Sequence, residues 1–267
     1  MNGARATPRL AFGAVVQAGE RMLPEEVAVA LTFNGTTQAV MMATPGDLVD
    51  FAYGFALTEG IATPGEILSV EVEAVAKGRD VQVWLRPEAE ARLSARRRVM
   101  MGPVGCGLCG IDSLDQALRE VPVVADTAFR MTPAQVMAAV AALPGQQRLH
   151  DATRAVHAAG YWAGGIVLAR EDVGRHNALD KLVGAMVRAS THPTHGAIVL
   201  TSRVSIDMVQ KVAMLGAPVI IAVSAPTADA VALAETSGIT LIALARPDRF
   251  EVFTHTDRLT TEVPHVG

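Results

Sequence analysis

Thiols are scarce in this chain: among 267 residues there are two cysteines. No second cysteine pair exists to complete a common four-ligand zinc motif, and His192 and His195 are too closely spaced for a usual zinc-finger half. Aromatic rings are also few, at 4% against a hydrophobic half of 50%, a balance that suits α/β layers built from Ala, Val, Ile and Leu. Basic excess is absent, since 23 Lys and Arg against 27 Asp and Glu leave a formal charge of −4. No global field therefore draws the chain to nucleic acid or to an acidic membrane, and any polyanion must be met by a local cluster.

Long apolar runs are missing as well. The start, Met1 to Arg9, has charge but no following apolar stretch, so neither a signal nor a transit peptide is expected. The most membrane-like region, Val212 to Ala234, is broken by Gly216, Pro218, Ser224, Pro226, Thr227 and Asp229. It reads as a helix end, a buried strand and another helix. The expectation is a cytoplasmic protein with reduced thiols and no membrane partner.

What is present is concentrated. Both cysteines fall in Gly105-Cys106-Gly107-Leu108-Cys109-Gly110, with a further glycine at 102. Glycines on either side favour a mobile backbone and exposed thiols over a packed core. Ser113-Leu114-Asp115-Gln116 then has the form of a capping box, so the thiols precede a predicted helix N-terminus. That helix end and Arg96, Arg97 and Arg98 upstream favour a thiolate, which attacks sulfur and can hold a second sulfur as a persulfide.

The two halves of the chain follow different patterns. Val27 to Thr32, Val70 to Val75 and Val81 to Leu85 alternate as strands with one wet face. Thr44-Pro45-Gly46-Asp47 and Thr63-Pro64-Gly65-Glu66 carry the cap, proline and acid of helix starts. From Arg86 to Gly110 the sequence has little periodicity and reads as a connector. After a helix start at Thr132, four continuous apolar runs follow: Gly165 to Ala169, Ala197 to Thr201, Pro218 to Val223 and Ile239 to Ala245. Separated by helical patterns, they predict a sheet covered on both faces. The fold class is α/β: a small N-terminal α+β domain over 1–110, with the basic connector and the thiols, then a mostly parallel α/β sandwich over 111–267.

Ligands of open α/β sheets bind beyond the carboxyl ends of the strands. The loops there hold Arg170 to Asn177, Ser202-Arg203, Ser224-Ala225-Pro226-Thr227 and Arg246-Pro247-Asp248-Arg249. Arginines, hydroxyls and helix N-termini on one rim make a phosphate or nucleotide cradle. For Arg175 and His176 a plain helix-start network with Glu171, Asp172 and Asn177 is the competing reading. Asp180 and Lys181 read as structural, while Lys211 faces phosphate or solvent.

Cys106-Gly107-Leu108-Cys109-Gly110, the run from Arg170 to Lys181 and Met208-Val209-Gln210-Lys211 resemble the formate dehydrogenase accessory sulfurtransferase family, FdhD. That resemblance implies a sulfurtransferase that takes sulfur from a cysteine desulfurase as a cysteine persulfide and passes it to the molybdenum bis(molybdopterin guanine dinucleotide) cofactor of formate dehydrogenase. Cys106 would bear the persulfide, with Cys109 its partner in the loop. The resemblance also implies a cofactor-binding segment at Phe250, Glu251, Val252, Phe253, Thr254 and His255, beside the rim of Arg175, His176 and Arg203. A cytidine deaminase-like fold in the second half and a homodimer are implied too, and no structural metal is expected.

Other readings remain. The thiols could serve a zinc site, a thioredoxin-like redox pair or an ordinary surface loop, and the whole chain could be a cofactor-binding chaperone that senses redox state. A zinc deaminase is disfavoured, because His157-Ala158-Ala159 lacks the glutamate of the H-x-E signature and the cysteines precede the histidine.

Overall fold

The computed structural model describes residues 3–99 and 119–260. The first half builds a four-stranded sheet from β3 (Val27–Phe33), β4 (Thr36–Ala43), β5 (Ile67–Val75) and β6 (Gly78–Leu85), in the order β4-β3-β6-β5. Alternation in the sequence decides its faces: Val29, Leu31 and Phe33 of β3 and Val81, Val83 and Leu85 of β6 are buried. They pack against Phe51, Ala52, Phe55 and Ala56 of helix α1 (Leu48–Thr58). Ahead of this sheet, β1 (Ala4–Phe12) and β2 (Val16–Pro24) form a separate antiparallel hairpin.

The second half is a six-stranded sheet of β7 (His157–Trp162), β8 (Ile166–Asp172), β9 (Ala197–Leu200), β10 (Val219–Ala222), β11 (Thr240–Ala243) and β12 (Glu251–Val252), ordered β12-β11-β10-β9-β7-β8. β9, β10 and β11 run parallel, whereas β7 is antiparallel to both neighbours and β12 is antiparallel to β11. Consecutive residues go to opposite cores. Ile198, Leu200, Ile220, Ala222 and Leu241 face α5 (Arg175–Arg188), α6 (Ile206–Leu215) and α7 (Ala228–Thr236). Ala197, Val199, Val219, Ile221 and Ile242 face Val136, Ala139 and Val140 of α3 (Pro133–Ala142). The sheet is thus covered on both sides at β9, β10 and β11, as three of the apolar runs predict, but it is mixed and not mostly parallel, and the run from Gly165 to Ala169 falls on the half-exposed edge strand β8. Among the described residues no helix is long and apolar enough to cross a membrane.

Several expectations change. Thr63 and Glu66 do form a capping box, but only one 3₁₀ turn, Pro64–Glu66, follows before β5 begins. Alternating residues from Ile67 onward give the chain a sheet partner before a helix can nucleate. At Thr44 the helix starts later than predicted, at Leu48, since Thr44 is held in buried hydrogen bonds to Asp172. Part of the expected connector is a helix, α2 (Pro87–Val99). Proline at its first position, acids in its first turn and buried Ala89 and Leu93 one turn apart support it, whereas its polar composition hides the pattern. The hairpin, β4 and β7 were not foreseen. The 110/111 boundary, the predicted helix start at Ser113 and both cysteines lie outside the described residues.

The halves join where α1 crosses α5. A β-carbon on Gly54 would lie 1.7 Å from the Asp180 carbonyl oxygen, and one on Gly184 would lie 1.8 Å from that of Asp50. Only hydrogen fits at either position. Three ionic nodes surround this contact. Lys181 Nζ meets Asp172 Oδ2 at 2.6 Å and Thr44 Oγ1 at 2.8 Å; Asp50 receives Arg170 and Arg188; Lys211 Nζ meets Asp180 at 3.0 Å and Glu59 at 2.7 Å. Lys181 and Asp172 are fully buried, so each charge depends on its partner.

Gly54→Ala must push the two helices apart and should cost about 3 kcal/mol, the upper range for forced overpacking. Urea denaturation measures it; an unchanged midpoint would contradict the backbone contact.

Candidate functional site

β8 and β9 both run antiparallel to β7, so the carboxyl ends of β8, β9, β10 and β11 share one edge of the sheet. The amino end of β7 reaches the same edge, which sets His157 opposite Asp172. Helices α5, α6 and α7 start there. This rim gathers His157, Arg175, His176, Thr201, Ser202, Arg203, Ser205 and Asp207.

Asp172 shapes the rim from below. Its Oδ1 accepts from the Gly174 backbone at 2.8 Å and from Asn177 Nδ2 at 3.0 Å, which fixes the turn into α5. Asp172 and Asn177 of the predicted helix-start network do pair, but Arg175 and His176 are not joined to them, and Glu171 turns instead to the backbone N–H groups of Leu149 and His150 at 2.8 Å each. Arg175 stands at the first position of α5, half-buried, and its Nε has no hydrogen-bond partner. His176 meets Asp207 in the first turn of α6. Burial works against the Asp207 carboxylate, yet hydrogen bonds from His176 and Ser205 outweigh it and hold its pKa well below the usual range. Arg203 is exposed on the loop after β9. Histidine 157 has its pKa lowered, first by burial and then by the positive charges of Arg175, His150 and His176. Cationic groups are thus packed closely enough to repel one another, an arrangement that an anion relieves.

Not every arginine of the predicted cradle points there. Arg170 lies inside β8 and pairs with Asp50 at 2.7 Å, and Arg246 donates to the Val223 and Ala245 carbonyls at 2.5 and 2.8 Å. Lys211 faces neither phosphate nor solvent. Burial opposes its ammonium, but Asp180 and Glu59 outweigh that and push its pKa up. Glu59 is likewise opposed by burial, but Lys211 and Arg119 outweigh it and hold its pKa at about 2. The stabilisation Glu59 provides is thus complete above its ordinary 4.5 and lost as pH falls toward about 2.

The segment from Phe250 to His255 is placed differently. Val252 and Glu251 pair with Ile242 and Ala243, and Thr254 is buried, exchanging hydrogen bonds with Leu241 N at 2.8 Å and the Ile239 carbonyl at 2.6 Å. Phe250 and Glu251 lie at the rim end of β11, half-buried and exposed, with Phe253 exposed. His255 lies at the other end, left-handed at φ 46, its Nε2 2.9 Å from the Glu235 carbonyl. β12 and β8 are the two edges of the sheet, so β11, β10, β9 and β7 lie between this segment and the strand that leads into Arg175 and His176. The structure brings Arg175, His176 and Arg203 to one rim, with Phe250 at its far end and His255 away from it.

A cleft of ≈ 240 Å³ opens elsewhere, between Gly3, Thr44 and Asp47 of the first half and Arg148, Arg170 and Glu171 of the second. Among the described residues no three His, Cys, Asp or Glu side chains cluster as a metal site. Sequence reasoning used His157 only to test a deaminase signature and passed over Ser205 and Asp207. The signal for them was position: each is at the end of a strand or the start of a helix on the rim.

Comparison with known proteins adds a second line of information. A family model described as the FdhD/NarQ family matches residues 24–260. The sulfur carrier protein FdhD of Agrobacterium fabrum (strain C58 / ATCC 33970) is 52% identical over 244 residues, covering 90% of each chain. That of Brucella abortus biovar 1 (strain 9-941) is 51% identical over 246 residues, covering 91% of each. Among solved structures, one from Desulfotalea psychrophila, provisionally described as a formate dehydrogenase accessory protein, superposes with a TM-score of 0.76 at 26% identity, covering 97% of this chain and 100% of that one.

An NMR pH titration should find His157 below the ordinary 6.5, and Arg175→Gln should raise it by removing a neighbouring positive charge. A titration midpoint unmoved by that substitution would separate the two residues.

Proposed function

The chain belongs to the FdhD/NarQ family, and from that premise we propose that it is a sulfurtransferase, carrying sulfur for the maturation of a formate dehydrogenase. The single observation that carries this reading is the identity of about half of all positions with relatives named sulfur carrier proteins, spread over nine-tenths of both chains. Cys106 is the sulfur-bearing residue in this reading, with Cys109 beside it. A Cys106 thiolate attacks the outer sulfur of a cysteine desulfurase persulfide, the new S–S bond forms as the old one breaks, and the desulfurase cysteine leaves as thiolate. The sulfur moves with no net change of oxidation state. Its acceptor is the molybdenum bis(molybdopterin guanine dinucleotide) cofactor, as substrate.

The rim supports the acceptor half of this reading. A protein of net charge −4 needs local cations for a ligand bearing phosphates, and Arg175 and Arg203 supply them, with His176 beside them on the rim. With Phe250 at the far end, the carboxyl edge offers a long track, which suits a ligand with two nucleotide arms. The cytoplasm is the compartment in which such thiols stay reduced. We retain the division into 1–110 and 111–267 and the likeness of the second half to the cytidine deaminase-like fold; the layered sheet with helices on both faces supports the latter.

A homodimer belongs to the same reading. The β1–β2 hairpin pairs Leu10 with Ala18 and Phe12 with Val16, so one face is apolar, and Leu10 and Phe12 are 61% and 79% exposed. Two-stranded hairpins are marginal alone. A second copy of the chain is the partner this face suits.

Mass spectrometry after incubation with a cysteine desulfurase and cysteine tests the function. A gain of about 32 Da on Cys106 is expected, by the persulfide chemistry of thiolates. Cys106→Ala should abolish sulfur delivery while cofactor binding persists. Normal activation of formate dehydrogenase by that variant would instead point to a chaperone in which the thiols only sense redox state.

A further inference from the structure

His176 and Asp207 stand in the first turns of neighbouring helices, α5 and α6, and their side chains meet at the rim. The two nitrogens of the imidazole are in different surroundings. Nε2 is buried and faces Asp207 Oδ2. Nδ1 is open, with no partner among the described residues, and the side chain as a whole keeps 29% of its surface exposed. A bare Nε2 would set its lone pair against those of the carboxylate, so the contact requires a hydrogen there. Burial opposes the Asp207 carboxylate, and the hydrogen bond and charge of His176 are the largest effects that keep it ionised. Its place in the first turn of α6, where the helix dipole favours an anion, works in the same direction.

A carboxylate on a cationic rim would by itself repel phosphate. Here the ring intervenes, since an anion at Nδ1 lies on the far side of the imidazole from Asp207. To donate to that anion, Nδ1 must carry a second hydrogen, and the ring must then be an imidazolium. The neighbouring charges oppose this: Arg175 precedes the ring in α5, and His157 of β7 lies close enough to feel both Arg175 and His176, with the Asp172 carboxylate also near. Asp207 offsets that repulsion from the buried edge.

We propose that Asp207 is a positioning residue: by holding the Nε2–H of His176 it makes Nδ1 the atom that meets a phosphate, and its charge sustains the hydrogen that Nδ1 donates. This role rests on the rim being a phosphate-binding edge. The competing role is a plain tie between α5 and α6, which would add to stability and leave the affinity for an anion unchanged.

Inorganic pyrophosphate, standing for the diphosphate of a nucleotide arm, is the probe. Calorimetry reads its affinity, and long-range proton–nitrogen correlation NMR reads which ring nitrogens of His176 carry hydrogen. In the parent, Nε2 should carry hydrogen in the free protein, and both nitrogens should do so in the complex. Asp207→Asn keeps a carbonyl oxygen but no charge, and should weaken pyrophosphate by about tenfold, the scale of one charge-assisted hydrogen bond. His176→Asn, whose amide falls near the place of Nδ1, should keep more affinity than His176→Gln, whose amide falls near that of Nε2; this pair decides the matter should Asp207→Asn fail to fold. A bare Nε2 in the free parent, parental affinity in Asp207→Asn, or equal losses in the two histidine variants overturns the proposal and leaves the rim as an anion site. A parent that does not bind pyrophosphate sinks the rim itself, and this role with it.

Discussion

Two helices from opposite halves of the chain meet backbone to backbone at Gly54 and Gly184, and the rest of the structure depends on that contact. Because no side chain separates them, short polar groups on either side come within hydrogen-bonding range: Thr44 reaches Asp172 and Lys181, and Thr58 reaches Asp180 and Lys211. Buried lysines are costly unless their charge is answered, and here each is answered by a residue on its own half and another across the seam. Pulling the halves apart would leave Lys181 and Asp172 without Thr44, and Lys211 without Thr58 and Glu59. The seam therefore specifies one relative placement, not a range of them.

That placement matters for chemistry because the site is shared. Asp172 turns one oxygen to the seam and the other to the turn that carries Arg175 and His176 into the rim. Asp180 and Lys211 turn toward Glu59 and, through it, toward Arg119, where the chain emerges from the thiol-bearing segment. One set of buried charges thus fixes both the turn into the cationic rim and the point at which the described chain resumes, Arg119. Two aspartates and two lysines, Asp172, Asp180, Lys181 and Lys211, are buried beneath the rim and paired with one another.

Sequence made some of this legible and hid the rest for physical reasons. The runs that became β9, β10 and β11 show plainly because buried strands covered on both faces leave no room for polar residues. Met208, Val209, Val212 and Leu215 declare a helix face for the same reason, and all four are buried. By contrast β7 begins at a histidine and passes through Ala-Ala-Gly, too small to signal a strand, and α2 is too polar to signal a helix. The role of Lys211 depends on Glu59 and Asp180, distant in sequence, and no local pattern announces that. Asp180 and Lys181 read correctly as structural because the apolar stripe of α5 already accounted for the other positions. The stretch from Phe250 to His255 looks like one unit in sequence, yet its two ends lie at opposite ends of a strand because β12 pairs antiparallel to β11.

The central claim, that α1 and α5 form one cooperative unit across the seam, is tested most directly by native-state hydrogen exchange. Amides in the middle of α1 and of α5 should open together, at the free energy of global unfolding. If α1 exchanges at a much lower free energy while α5 stays protected, the first half can detach by itself, and the buried charges do not bind the two halves into one body.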